Sequence, residues 1–214
     1  MKTSEASEKK IARLMVGSET QKVSSKRIKP GGPILSLNEI SVAGQSKRDS
    51  LHDVNLILNS NEILGIAGIS GNGQNVLADL ISGLVAPDRG SIVLKGLAIE
   101  NISPFNMIKS GFGRIPEDRH RQGIVGGLSV SENMIIERLD DPQIQNFGFL
   151  RSSVINKNAK TLSEKYDVRG PGIDQASRLL SGGNIQKLIL ARVFEKQPEI
   201  ILANQPTRGL DMGA

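Results

Sequence analysis

Apolar residues in the first half of the chain fall into short runs that are typical of β-strands. Ile34–Val42 alternates between apolar and polar positions, and Val54–Leu58 and Ile63–Ala67 follow as short apolar runs. The pattern predicts three strands, the last two joined tightly through Asn59-Ser60-Asn61. The third run enters a glycine-rich turn, after which helical spacing predicts a helix from about Gln74 to Ser82. Strand, glycine loop and helix form the context that a phosphate-binding loop requires.

The second half of the chain is predicted to be mainly helical between about residues 124 and 184, an insertion between strand-rich segments. Ser129-Val130-Ser131-Glu132 has the spacing of a capping box, which predicts a helix from there toward Arg138. The other predicted elements are a strand at Phe112–Ile115, a polar loop at Pro116–Gly123, helices at 154–167 and from Ser181 to about Lys196, and a last strand at Glu199–Ala203.

The first 33 residues differ from the rest in charge and pattern. Residues 3–16 are predicted to form a short amphipathic helix, and residues 18–33 a polar linker ending in Pro30-Gly31-Gly32-Pro33. The net charge of +5 arises within residues 1–33, so the remaining chain is neutral. A neutral body with 3% aromatic residues gives no indication of nucleic-acid binding. With 38% apolar residues and no cysteine, the composition predicts a globular protein without thiolate chemistry.

Gly68-Ile69-Ser70-Gly71-Asn72-Gly73-Gln74-Asn75 has the glycine spacing of a Walker A loop. Such loops bind phosphates through backbone N–H groups and the dipole of the following helix, both of which need geometry rather than particular side chains. The motif normally continues with Lys and then Ser or Thr, where this chain has Gln74 and Asn75. Taken alone, the segment is also compatible with an ordinary glycine-rich strand-to-helix turn. We assign its ATP-binding residues as Gly68, Ser70, Gly71, Asn72, Gly73, Gln74 and Asn75.

A second glycine turn carries the more specific motif. Leu180-Ser181-Gly182-Gly183-Asn184, with Gln186 two residues on, resembles the signature motif of ABC ATPases. A serine and two glycines at a helix N-terminus make a ready anion site. In that family this site caps the γ-phosphate held by the Walker A loop of the opposite cassette, so the resemblance implies that these residues act on a partner's nucleotide.

Other segments extend the resemblance to ABC ATPases. The family's Walker B strand ends in Asp-Glu-Pro-Thr, and this chain has Asn204 and Gln205 at the positions of the magnesium-supporting aspartate and the catalytic glutamate. No catalytic residue is therefore intact, and Asn75 and Asn204 are weak metal-ligand candidates. Asp211 matches the D-loop. Glu117 falls at the Q-loop position, with a solvated charged loop as the alternative.

The whole set resembles the second cassette of tandem-cassette ATPases that drive simple-sugar and nucleoside importers. The resemblance implies an α/β P-loop cassette at residues 34–214, with a mixed central sheet, an antiparallel β-subdomain and an inserted helical subdomain. Residues 1–17 resemble the end of a preceding cassette, so the chain is expected to be a fragment that stops after the D-loop. The implied cofactors are ATP and Mg²⁺.

The same resemblance implies partners and a location. The expected partners are a second cassette, membrane permease subunits and, indirectly, a solute-binding lipoprotein, without nucleic acid, at the cytoplasmic face of the membrane. Two alternatives stay open at this point. A soluble ABC protein outside transport would co-purify with ribosomes or DNA rather than with membranes, and an inactive remnant would show no saturable binding of ATP.

Overall fold

The computed structural model describes residues 28–69 and 71–210, which divide into two compact units. We call residues 28–112 the sheet unit and residues 113–210 the helical unit. The predicted tail helix at 3–16, most of the linker at 18–33, Ser70 and Asp211 lie outside the described residues. The boundaries predicted for the cassette and its helical subdomain stay predictions.

The sheet unit is built on a four-stranded antiparallel sheet in the order β2-β1-β3-β4. The chain order of its elements is β1 (Pro33–Val42), β2 (Leu51–Asn59), helix α1 (Gln74–Ile81), β3 (Arg89–Leu94), β4 (Leu97–Ala98) and helix α2 (Pro104–Lys109). Leu37 and Ile40 of β1 lie at the centre of its core and are at most 1% exposed, and the alternation of buried residues shifts by one position between them, where Glu39 has a φ of 50°. The predictions for β1, β2 and α1 are confirmed.

The predicted strand at Ile63–Ala67 is wrong. The segment is irregular between residue 62 and the glycine loop, and the side chain of Ile63 is 99% exposed. Ile66 is half exposed. A strand needs hydrogen bonds from a neighbouring strand, and among the described residues this segment has no ladder partner. The apolar residues of this segment predicted a buried strand, but apolar residues alone do not provide a neighbouring strand to which the backbone can hydrogen-bond.

The helical unit consists of helices packed around helix α5 (Gly182–Glu195). The elements before it are β5 (Phe112–Ile115, which begins at the last residue of the sheet unit), a π-helix (Arg119–Gly123), helix α3 (Val130–Ile135), the hairpin strands β6 (Gln145–Asn146) and β7 (Phe149–Leu150), helix α4 (Ser152–Lys165) and a 3₁₀ turn (Ser177–Leu179). Strand β8 (Ile200–Ala203) follows α5 and pairs with β5. Ile185, Leu188 and Ile189 of α5 are fully buried. The predicted helices and the strands at 112–115 and 199–203 are confirmed to within a few residues, whereas the polar loop at 116–123 contains the π-helix.

One buried amide joins the start of α3 to the turn before α5. Asn133 is fully buried, and its Oδ1 accepts a hydrogen bond from the N–H of Val125 at 2.8 Å. Its Nδ2 donates to the carbonyl of Ser129 and to the hydroxyl of Ser177, both at 3.0 Å. Buried polar groups that are fully bonded fix one arrangement of the chain around them. The residues leading into the second glycine turn are therefore held by the helix that the capping box begins.

Two negative findings concern the described residues only. None of their helices combines the length and apolarity needed to cross a bilayer. They also contain no group of three or more His, Asp or Glu side chains placed to hold a metal ion.

Candidate nucleotide site

The described residues of the phosphate loop, 68–69 and 71–75, lie at the N-terminus of α1, as the glycine spacing predicts. Gly71 and Gly73 have φ values of 85° and 80°, in the left-handed region that glycine adopts without strain. Gly73 is the N-cap of α1, whose first turn has no acidic residue. A Cβ at Gly73 would also lie 3.0 Å from Cδ2 of Leu51. Backbone N–H groups and the positive end of the helix dipole are thus retained for an anion.

The one charged side chain of a Walker A loop, its lysine, is replaced here by the neutral Gln74. A Cβ at Gly68 would lie 2.6 Å from Nε2 of Gln74, so the Gln74 amide folds back over the first glycine of the loop. It offers a neutral donor where the motif has an ammonium group. Oδ1 of Asp49 lies 3.9 Å from the Cβ position of Gly71, which places a carboxylate beside the anion cradle. Both features lower the affinity of this loop for phosphate.

The signature residues form the N-terminus of α5 in an ordered arrangement. Ser181 is the N-cap, and its hydroxyl accepts hydrogen bonds from the N–H of Asn184 at 3.4 Å and from Asn184 Nδ2 at 2.9 Å. Asn184 Oδ1 in turn accepts from the N–H of Arg169 at 2.7 Å. Within the described chain these bonds use Ser181 Oγ as an acceptor, so its proton remains available to an anion. Leu180 anchors the turn by burying its side chain.

Two further details of α5 concern charge and burial. Gln186 is 5% exposed, and its Nε2 has no hydrogen-bond partner among the described residues. Hydrogen bonds from Lys187, and then from Arg169, hold the pKa of Asp167 below its ordinary value. These ion pairs are largely exposed and add little to stability. The pair with Lys187 connects the segment before the signature turn to α5.

The Walker B position lies at the end of β8 and lacks both carboxylates. The N–H of Asn204 donates to the carbonyl of Ile115 at 2.9 Å, which extends the pairing of β8 with β5. Gln205 follows with a φ of 46°. An amide cannot accept a proton at neutral pH, so Gln205 cannot act as a general base. Asn75 and Asn204 offer only neutral oxygen donors, whereas magnesium in phosphoryl-transfer sites is held through a carboxylate and the substrate phosphates. Neither side chain supplies that carboxylate, so neither fits this role by itself, and the assignment of Asn75 and Asn204 as weak metal ligands stays a prediction.

Glu117, predicted at the Q-loop position, forms an ion pair with Arg208. Next to it, Asp118 caps the π-helix by accepting hydrogen bonds from the N–H groups of His120 and Arg121 at 3.0 Å. Arg119 donates to the carbonyls of Arg208 and Gly209. The sequence indicated both polar segments but not their contact, and Arg119 was missed.

Comparisons with known proteins agree with this geometry. The ABC transporter family model matches residues 51–208. The guanosine import ATP-binding protein NupO of Bacillus subtilis is 38% identical over 205 residues, which are 95% of this chain and 40% of that protein. The glucose import ATP-binding protein TsgD13 of Haloferax volcanii is 39% identical over 215 residues, 99% of this chain and 39% of that protein. The chain thus spans about 40% of the length of these relatives.

Solved structures show the same fold. The ATP-binding cassette MJ0796, in a dimeric post-hydrolysis state bound to ADP and phosphate, superposes with a TM-score of 0.64 at 22% identity, covering 84% of this chain and 77% of that one. A nucleotide-free cassette from an ABC transporter gives a TM-score of 0.65 at 21% identity, covering 83% and 71%. The predicted fold class, a P-loop NTPase-type cassette, is confirmed. The chain belongs to the ABC transporter family of ATP-binding cassettes.

Proposed function

We propose that this chain is the second, degenerate cassette of an importer for nucleosides or simple sugars. It binds ATP at its own phosphate loop with little turnover, and it contributes its signature motif to the hydrolytic site of a partner cassette. The import ATP-binding relatives support the transport role. The observation that carries the proposal is the pairing of a glycine-built cradle with neutral side chains at Gln74, Asn204 and Gln205.

The proposal separates binding from turnover on chemical grounds. Backbone amides around Gly71 and Gly73 bind phosphate without any ionised side chain. Hydrolysis also needs a group that positions and polarises water, and Gln205 has no basic oxygen to do so. We therefore expect ATP to reside in this site rather than to be consumed there.

Helix α5, in contrast to the phosphate loop, has the residues that its proposed role requires. Ser181 carries a hydroxyl proton, and α5 presents its N-terminal N–H groups over a helix of 14 residues. A phosphate presented by a second cassette would be bound there without any change in this chain. The further partners that we propose are membrane permease subunits and, through them, a solute-binding lipoprotein, at the cytoplasmic face of the membrane. Nucleic acid has no place in this assignment.

The proposal is tested by comparing the wild-type chain with a restored variant. Titration with a fluorescent ATP analogue should show weak saturable binding to the wild type and no measurable release of phosphate. Gln74→Lys exchanges a neutral donor for a charged one, a difference of about 0.5–2 kcal/mol, and should tighten binding by about 2- to 30-fold. Lys160→Ala, at an exposed position of α4, is the control and should change neither quantity.

Three results would contradict the proposal. Robust hydrolysis by the isolated wild-type chain would show that the neutral residues suffice for chemistry. An absence of saturable binding in both the wild type and Gln74→Lys would favour the inactive remnant. Co-purification of the chain with ribosomes or DNA rather than with membranes would favour a soluble ABC protein outside transport.

A further inference from the structure

The guanidinium group of Arg119 lies between two loops of the helical unit. Its Nη1 donates to the carbonyl of Arg208 at 2.6 Å, and its Nη2 donates to the carbonyl of Gly209 at 3.0 Å. The same Nη2 would lie 2.9 Å from a Cβ at Gly182, the first glycine of the signature turn. One side chain therefore touches both the segment immediately before Asp211 and the N-terminus of α5.

The π-helix that carries Arg119 is itself fixed to α5. A Cβ at Gly123 would lie 2.4 Å from Cδ1 of Ile189, which shows how closely the two helices approach. Arg192 of α5, a buried residue, donates from Nη2 to the carbonyl of Gly123 at 2.7 Å. Asp118 fixes the other end of the π-helix by capping it. Arg119 therefore lies on a π-helix that is packed against α5 and hydrogen-bonded to it.

A second contact connects the same two segments. Glu117 pairs with the side chain of Arg208, the residue whose carbonyl Arg119 binds. The Glu117 side chain is 21% exposed and that of Arg208 is 63% exposed, so solvent screens this pair. The two hydrogen bonds from Arg119 to carbonyls are consequently the stronger connection, because their donor is charged and its planar fork is pre-organised.

We propose that Arg119 is a positioning residue that fixes residues 208–209 beside the first signature glycine. The proposal rests on the proposed function, in which the signature turn binds the nucleotide held by the partner. It assigns a second reason for glycine at position 182, because any side chain there would displace the guanidinium. Lysine cannot replace Arg119, since a single ammonium group lacks the fork that serves two carbonyls.

The structural half of the proposal is tested by hydrogen exchange on the full chain. The N–H groups of Arg208 and Leu210 bond to the carbonyls of Gln205 and Thr207, so they report whether this segment is held. Arg119→Ala should speed their exchange at least tenfold, and Arg119→Lys should do so to a smaller extent. Arg121→Ala removes the same charge at an exposed position of the same π-helix and should change exchange less than twofold.

Two outcomes would overturn this half. One is unchanged exchange in Arg119→Ala, and the other is an equal increase in Arg121→Ala. Should Arg119→Ala unfold under the conditions of the measurement, Arg119→Lys replaces it. The proposal is then overturned if exchange in Arg119→Lys is no faster than in Arg121→Ala.

The functional half is tested by a double-mutant cycle in the complex assembled with its partner cassette and permeases. Arg119→Ala should lower kcat for ATP about tenfold with KM within about twofold, because it disturbs geometry and not nucleotide contact. Gly182→Ala should lower kcat as well, and the double variant should be no slower than the slower single variant. Multiplying effects would show that Gly182 and Arg119 act independently and would overturn the proposal.

The two proposals fail in different ways. If turnover in the complex does not depend on Ser181 or Gly183, the proposed function is wrong, while the hydrogen-exchange result still decides whether Arg119 holds residues 208–209. If turnover depends on the signature but Arg119→Ala leaves both exchange and kcat unchanged, only the positioning role is wrong.

Discussion

The phosphate loop and the signature turn are both glycine-rich helix N-termini, yet they retain different parts of a nucleotide site. The phosphate loop keeps the backbone geometry and has neutral side chains at Gln74 and Asn75. The signature turn has the side chain that its motif expects, a hydroxyl on Ser181 at the N-cap of α5. This difference is the one expected if, as we propose, the chain contributes more to the site of a partner cassette than to chemistry at its own loop.

The glycines of the two regions also serve different physical purposes. Gly73 has a left-handed backbone, so the conformation itself requires glycine. Gly182 lacks a positive φ and is constrained by space, since Nη2 of Arg119 occupies the place of a side chain. Substitutions in the first region should therefore disturb local folding, and substitutions in the second should disturb contacts.

The largest expected effect is at the signature turn. Gly183→Asp places a carboxylate where we propose that a phosphate binds, and its repulsion should cost at least as much as the loss of one preorganised donor, which lowers turnover by about 10²–10³. We expect ATP hydrolysis by the assembled complex to fall at least about 100-fold, measured as phosphate release. Lys160→Ala is the matched control. A loss of less than about threefold would show that the signature turn is no more important for ATP hydrolysis than the phosphate loop.

A smaller effect is expected in the phosphate loop. Gly73→Ala forces a Cβ into a left-handed backbone, which costs about 1–2 kcal/mol, and it also crowds Leu51. The free energy of unfolding, measured with urea, should fall by about that amount. Gly65→Ala is the control, because a Cβ there meets nothing within 4 Å. Equal losses from both variants would mean that the loop conformation is not what glycine provides.

The smallest effect concerns pH and the capping box of α3. Hydrogen bonds from the backbone and then the side chain of Ser129 hold the pKa of Glu132 below its ordinary value of 4.5. Because the folded pKa lies below the unfolded one, this contribution to stability is present above pH 4.5 and is lost as the pH falls through the folded value. The group is exposed, so the contribution is under about 1 kcal/mol.

The test of the capping box compares urea unfolding at pH 6 and at pH 3.5. Glu132→Gln should remove part of the loss of stability that the wild type shows between these two values. If the variant and the wild type lose the same free energy, the carboxylate of Glu132 does not stabilise α3 and the signature region gains nothing from that cap.

Much of the fold was readable from local sequence. The alternation in β1, the capping box at Ser129 and the glycine before α1 each act within a few residues, so their positions were predicted closely. The prediction of a strand at Ile63–Ala67 was wrong because strand formation depends on a neighbouring strand that the local sequence does not identify. The π-helix was missed because Arg119–Gly123 has no apolar periodicity to indicate a helix.

The site was predictable where a motif is contiguous and not where it depends on distant contacts. The phosphate loop and signature turn were found by spacing, and the structure places each at the N-terminus of the expected helix. The contact of Arg119 with the carbonyls of Arg208 and Gly209 joins residues about 90 positions apart. Neither segment alone indicates it, because carbonyl acceptors carry no sequence signal.

Asn184, the last residue of the signature motif, has a consequence for attempts to restore the family's consensus sequence in this chain. Asn184 spends both ends of its amide inside its own chain, on Ser181 and on the backbone of Arg169. The glutamine usual in the family is one methylene longer, so we expect Asn184→Gln to shift the backbone of Arg169 or the side chain of Ser181. We therefore expect the family's glutamine at this position to weaken the contact between the signature turn and residue 169.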